Sequence, residues 1–186
     1  MGAKEVIGID ISPEMIKLAE EKTRQESLDI LYLVKDVIGL EKIKEFDIVA
    51  AAFLLHYSKT KEEILEMCKS VYKNLKEGGR FVTINQDPVN PIKDLKEFGA
   101  VLEGPNPLKE GDKLTVSLYE DMKKTCSFTT YHWSKDTYES CLKKAGFKNI
   151  KWSPVEVSKE GIEKHPDRDW GKFTNESYIL ILEATK

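Results

Sequence analysis

The sequence predicts an α/β fold: one mostly parallel sheet with helices on both faces. Two observations carry this. Short apolar runs without polar alternation, the mark of strands covered on both sides, recur along the chain. Between them lie amphipathic or turn-rich segments, the alternation that builds parallel sheets. The totals agree. A chain of 186 residues, 40% apolar and 33% charged, suits a single domain over residues 1–186 with a sizeable core.

The first strand is read at Glu5–Asp10. Ser12 then stands as an N-cap with Pro13 at the first helical position, where a missing N–H costs nothing. Met15, Ile16, Leu18 and Ala19 give that helix its buried stripe. LDILYLV, Leu28–Val34, is the next strand, and a short turn leads to FDIVAAAF, Phe46–Phe53. Ile64, Leu65, Cys68, Val71, Tyr72 and Leu75 recur at helical spacing, with Gly78-Gly79 as the stop. RFVTIN, Arg80–Asn85, is again a strand. Gln86–Pro107 holds four of the seven prolines and reads as loop with one helical turn. Lys113–Glu120 and Cys126–Trp133 alternate like half-exposed antiparallel strands, so residues 86–133 form an insertion. Ser134 caps a helix that ends at Gly146. Phe147–Val157 and Tyr178–Thr185 are the last strands, separated by a polar loop with His165, Pro166 and Trp170.

A formal charge of −3 gives no electrostatic footprint for nucleic acid or an anionic membrane. No apolar run approaches the roughly 20 residues of a membrane span. The cysteines, Cys68, Cys126 and Cys141, are odd in number and unclustered, which argues against a disulfide framework and a zinc site. A reducing, cytoplasmic setting follows as the expectation, with no metal.

GIDIS with an acid at a strand tip, KDV after the next strand, FDIVAAAFLLHY, KNLKEGGRFVTIN, LKKAGF and a closing strand ending in EATK occur in this order. Together they resemble the class I S-adenosylmethionine-dependent methyltransferases, small-molecule type, from Val6 to the C-terminus. The resemblance implies a Rossmann-like three-layer sandwich whose last strand is antiparallel to its neighbour. A nicotinamide dehydrogenase would more often continue in parallel. It implies S-adenosylmethionine as cofactor, with Asp10 accepting from the ribose hydroxyls and Ile11 against adenine. Asp36, with the Val37 backbone N–H, would take the adenine amine; a plain turn role is the alternative for Asp36. Ala52 and Phe53 would border the methionine portion. His56 is the candidate base, its usual pKa of about 6.5 suiting that work, or else it lines the pocket. Tyr57, Asn85, Tyr131, His132 and Trp133 are candidate acceptor contacts, on a segment where this family builds a substrate lid. Packing of the insertion is the competing role for Tyr131 and Trp133, and capping for Asn85.

One departure stands out. The family's first strand and its glycine-rich loop have no counterpart before Gly2. That leaves a slot bordered by residues 5–10 and 46–53, which must close or be filled, because unpaired buried backbone groups cost about 1–3 kcal/mol each. A second copy of the chain is one expected occupant. Two functions are therefore weighed: methyl transfer to a small molecule, and a methyltransferase-like remnant or binding protein without productive cofactor binding. No Asn/Asp-Pro-Pro-Tyr-like stretch follows Phe46–Phe53, which disfavours a nucleic acid acceptor.

Overall fold

The computed structural model describes residues 2–186. It is α/β, and its strands fall into three hydrogen-bonded groups. β1 (Ile7–Asp10) pairs in parallel with β2 (Leu31–Val34), the two joined through α1 (Pro13–Gln25). The second group has the order β3-β4-β10-β9, with β3 at Phe46–Ala52, β4 at Leu75–Gln86, β9 at Lys148–Pro154 and β10 at Ile179–Thr185. β3 and β4 are parallel, whereas β10 runs antiparallel to both β4 and β9. The antiparallel final strand is thus as expected. The sheet as a whole is mixed rather than mostly parallel, because only β1–β2 and β3–β4 among the described pairings run the same way.

The core lies on one face of the second group, under α2 (Lys61–Lys73) and α3 (Lys135–Ala145). Ile64, Cys68 and Val71 from α2 meet Tyr138 and Leu142 from α3 over Phe81 and Leu182. Each such side chain contributes about 1.5–3 kcal/mol when fully buried. α3 stops at Gly146, whose φ of 110° suits glycine; a Cβ there would stand 2.8 Å from the Tyr72 ring. Both Cys68 and Cys141 are buried and free.

Several local expectations are corrected. α2 ends at Lys73 rather than running through Leu75 to Gly78-Gly79. The reason is Asn74, whose Oδ1 accepts from the Ile43 N–H at 2.7 Å while Nδ2 donates to the Ser70 carbonyl at 2.9 Å. That side chain ties the helix end to the preceding loop, and Leu75 already begins β4. Gly79 instead allows a close backbone approach, since a Cβ would meet the Lys76 carbonyl oxygen at 2.8 Å.

The insertion is a four-stranded antiparallel sheet, not loop plus hairpin. Its strands are β5 (Lys93–Leu95), β6 (Ala100–Glu103), β7 (Lys113–Glu120) and β8 (Lys123–Tyr131), in that order. The proline-rich stretch thus contains two strands. The β7–β8 turn puts Asp121 and Met122 at φ 46° and 64°, a two-residue hairpin without the glycine that announces one. The polar loop after β9 carries α4 (Lys159–Lys164) and α5 (Trp170–Glu176). Phe173 of α5 packs on Phe98 of the insertion, ring centres 5.0 Å apart.

The three-layer expectation is met unevenly. On the face away from α2 and α3, Ile48 and Ile84 are 51% and 39% exposed. Of the α1 stripe, only Ile16 is buried; Met15 and Leu18 are exposed. β1 and β3 belong to different hydrogen-bonded groups. Glu5, before β1, is ion-paired with Lys44, before β3. At the other end the Asp10 carboxylate acts on the Tyr57 phenol. No ladder joins the two strands among the described residues.

Candidate functional site

The candidate residues gather at the C-terminal ends of β1, β3 and β4, the edge where open α/β sheets bind ligands. Asp10 ends β1. Its Oδ1 accepts the Ser12 N–H at 2.8 Å, while the Ser12 hydroxyl caps α1 by accepting from the Met15 N–H at 3.2 Å. The turn holds the carboxylate at the rim and leaves Oδ2 for an outside donor. Ile11 beside it is 66% exposed, a flat apolar surface next to an acid. Asp36 follows β2 and closes a local turn, its Oδ1 accepting the Ile38 N–H at 2.8 Å. The turn role of Asp36 is therefore present, with the second oxygen still available. Val37 packs partly against the main core.

Ala52 ends β3, and the chain then turns sharply. Phe53 sits at φ 57°, a conformation that costs a non-glycine residue about 1–3 kcal/mol, while its N–H donates to the Ile84 carbonyl at 2.9 Å. This turn delivers the short 3-10 segment Leu55–Tyr57. His56 is 1% exposed, flanked by the rings of Phe53 and Tyr57 at 5.6 and 4.9 Å. Its Nδ1 has no hydrogen-bond partner, and burial lowers its pKa from 6.5 to about 3. The imidazole is neutral at physiological pH and holds a proton weakly. Tyr57 is half-exposed, and burial, then the charges of Asp10 and Cys126, raise its phenol pKa. Its ring centre lies 6.0 Å from that of Phe128 of β8.

Asn85 is fully buried near the end of β4; its Nδ2 donates to the Gln86 carbonyl at 3.1 Å, and Oδ1 is unpartnered. Tyr131 and His132 are half-buried beside Trp133 in a crevice too tight for a water molecule. Burial lowers the His132 pKa, against the raising influence of Glu110 and Asp112. Trp133 is 5% exposed and belongs to the main core, its indole N–H donating to the Ser58 carbonyl at 2.9 Å. In this structure it fastens the insertion to the His56 segment.

Three contributors escaped the sequence reading. Gln86 and Thr130 exchange hydrogen bonds at 3.1 and 3.3 Å, locking β8 to β4 across 44 positions. Glu110 accepts from the Ser134 N–H at 3.0 Å and the Thr137 hydroxyl at 2.9 Å, and pairs with Lys61 at 3.2 Å. It joins the insertion to the starts of α2 and α3. The TTYHW aromatics drew attention to that strand, but nothing local marks Gln86 or Glu110. A groove of about 280 Å³ between α2 and α3, lined by Lys61, Ser140, Cys141 and Lys144, shares none of the predicted residues. Among the described residues no cluster of His, Cys, Asp and Glu is arranged to hold a metal, and no helix is long and apolar enough to cross a membrane.

The chain is similar to methyltransferases in sequence over its first part and in fold over nearly its whole length. The family model that matches is a methyltransferase domain, over residues 1–79. The Bacillus subtilis (strain 168) protein named "Putative methyltransferase YqeM" is 39% identical over 80 residues, covering 40% of this chain and 31% of that one. The chain thus spans about a third of the curated relative it matches. An S-adenosylmethionine-dependent methyltransferase from Clostridium acetobutylicum superimposes with a TM-score of 0.66 at 17% identity, over 98% of this chain and 75% of that one. One from Mesorhizobium loti gives 0.64 at 18%, over 100% and 82%. The N-methyltransferase NodS from Bradyrhizobium japonicum, solved with S-adenosyl-L-homocysteine, gives 0.56 at 13%, over 98% and 67%. At these identities the structures speak for the fold, which is Rossmann-like.

Proposed function

We propose that this protein transfers a methyl group from S-adenosylmethionine to a small-molecule acceptor. The observation that carries the reading is Asp10: a carboxylate at a strand tip, anchored through one oxygen by Ser12, free through the other, beside exposed Ile11. An ionised carboxylate so placed can accept from a ribose diol. Asp36 and the Val37 N–H would receive the adenine amine, and Ala52 and Phe53 would border the methionine portion. The bound cofactor supplies an electrophilic methyl carbon. The chain's own work is to hold the acceptor in line and exclude water. Tyr57 would meet the acceptor directly, whereas Asn85, Tyr131 and His132, which are buried or in a crevice without room for water, would support that wall from behind, with Trp133 fastening the insertion. His56, neutral and shielded, suits an acceptor that arrives with its lone pair available, or a proton taken up only transiently. A cytoplasmic location agrees with three free cysteines.

A second reading, a remnant that holds no cofactor productively, is favoured by the unpaired edges of β1 and β3 beside Asp10. Association of copies through this slot would be its structural counterpart. Calorimetry with S-adenosylhomocysteine decides between the functions. Methyl transfer predicts micromolar binding, weakened at least tenfold by Asp10→Ala, since hydrogen bonds to a charged group are worth about 1.5–3 kcal/mol. A folded sample giving no heat at millimolar ligand would overturn the enzyme reading.

A further inference from the structure

We propose that Leu118, Cys126 and Phe128 of the insertion form, with Tyr57, the wall that receives the acceptor's non-reacting part, and that this part is apolar and uncharged. The inference deepens the methyl-transfer reading and rests on it. Side chains alternate along a strand, so Cys126, Phe128 and Thr130 of β8 share one face. Two contacts show where that face looks. Thr130 exchanges hydrogen bonds with Gln86 of β4, and the Phe128 ring centre is 6.0 Å from that of Tyr57. The Cys126 thiol is exposed and near enough to the Tyr57 phenol for its charge to act there, as does that of Asp10. Tyr57 thus joins the acid proposed for the cofactor to the strand proposed for the acceptor.

The composition of this face sets the acceptor's chemistry. Residues paired directly across a sheet share a face, so the register extends it over β7 and β6. Ala100, Leu118 and Cys126 make one row, and Leu102, Val116 and Phe128 the next. These rows hold no Asp, Glu, Lys, Arg or His. By the same alternation Glu103 and Lys113 fall on the opposite face. Ala100, Leu102 and Val116 are at most 5% exposed, whereas Leu118 and Tyr57 are 37% and 46% exposed. The apolar surface therefore starts in the buried centre of the insertion and opens at Leu118 and Cys126, the end that acts on Tyr57. A charged group set against these rows would lose water and gain no counter-ion from them. An alkyl or aryl group would instead shed its water onto apolar neighbours.

Cys126 allows a test on the unmutated protein. Cys68 and Cys141 are buried, and burial raises both thiol pKa values, so Cys126 is the thiol open to alkylation. Its sulfur displaces iodide from iodoacetate or iodoacetamide, which adds a charged or a neutral group of nearly equal size. The probe is N-phenylnaphthylamine, uncharged and fluorescent in apolar surroundings. It should bind saturably at micromolar concentration, and at least tenfold more weakly to the carboxymethylated than to the carboxamidomethylated protein. Cys126→Ser treated with iodoacetate should keep its untreated affinity. Para-ethylphenol should displace the probe at a concentration where para-hydroxyphenylpropionate, the same ring with a carboxylate, does not. Absence of saturable binding by a sample with a native circular dichroism spectrum overturns the proposal. So does equal affinity of the two adducts, or equal displacement by the two phenols. S-adenosylhomocysteine calorimetry on the same sample keeps the two readings apart. Heat without probe binding overturns the apolar wall alone. Probe binding without heat overturns methyl transfer, and the acceptor role with it.

Discussion

His56 shows how a residue's surroundings decide its chemistry. Its place after FLL made it a candidate base, yet the fold buries it between two aromatic rings with no carboxylate or carbonyl to steady a charge. A folded pKa near 3 against an unfolded value near 6.5 means that the unfolded chain binds the extra proton between those pH values. The stabilising contribution is therefore whole above pH 6.5 and falls as pH drops toward 3, by about 1.4 kcal/mol per unit at most. Urea titrations between pH 7.5 and 5 should show this slope, and His56→Gln should flatten it. An unchanged slope would mean that the imidazole is better solvated than its burial indicates. Position and residue type were legible for His56, as for Asp10 and Asp36. The protonation behaviour was not, because it depends on Phe53 and Tyr57 being folded over the ring.

At the scale of elements, the readable parts carried their own punctuation. Ser12-Pro13, Ser134 and Gly146 mark helix ends chemically: α1 starts at the first, and α3 starts and stops at the other two. The misread parts were those set by distant partners. Asn74 ends α2 because it binds the loop at Ile43 and Lys44, thirty positions away. β6 exists because β7 gives it an edge to pair with, and β5 pairs in turn with β6, which outweighs the prolines around them. Glu110 illustrates the energetic side. Glu110→Ala removes acceptors from the Ser134 N–H and the Thr137 hydroxyl together with the pairing to Lys61. Loss of such a cap costs about 1 kcal/mol, so an unfolding free energy lower by that amount, and a correspondingly lower midpoint, is expected in chemical denaturation. Gly146→Ala should cost more, since it combines a left-handed φ with a contact of 2.8 Å to Tyr72. Indistinguishable midpoints for these two variants would refute the ranking.

Over the whole molecule, cover is unevenly shared. α2 and α3 bury one face of the larger sheet, while Ile48 and Ile84 look outward and α1 shows Met15 and Leu18. β1, β2 and α1 rest mainly on each other, so their amides should exchange sooner than those of β4 and β10, which pair on both sides. Equal protection throughout would contradict this division. The alternation of strands and helices was visible in the sequence. The separation into three strand groups was not, since it turns on which edges find partners. The bond from the Trp133 indole to the Ser58 carbonyl couples the insertion to the short segment before α2. Swinging the insertion outward must drag the turn bearing His56 and Tyr57 with it. Any displacement of one is thereby a displacement of the other, and Trp133 fluorescence would be its gauge.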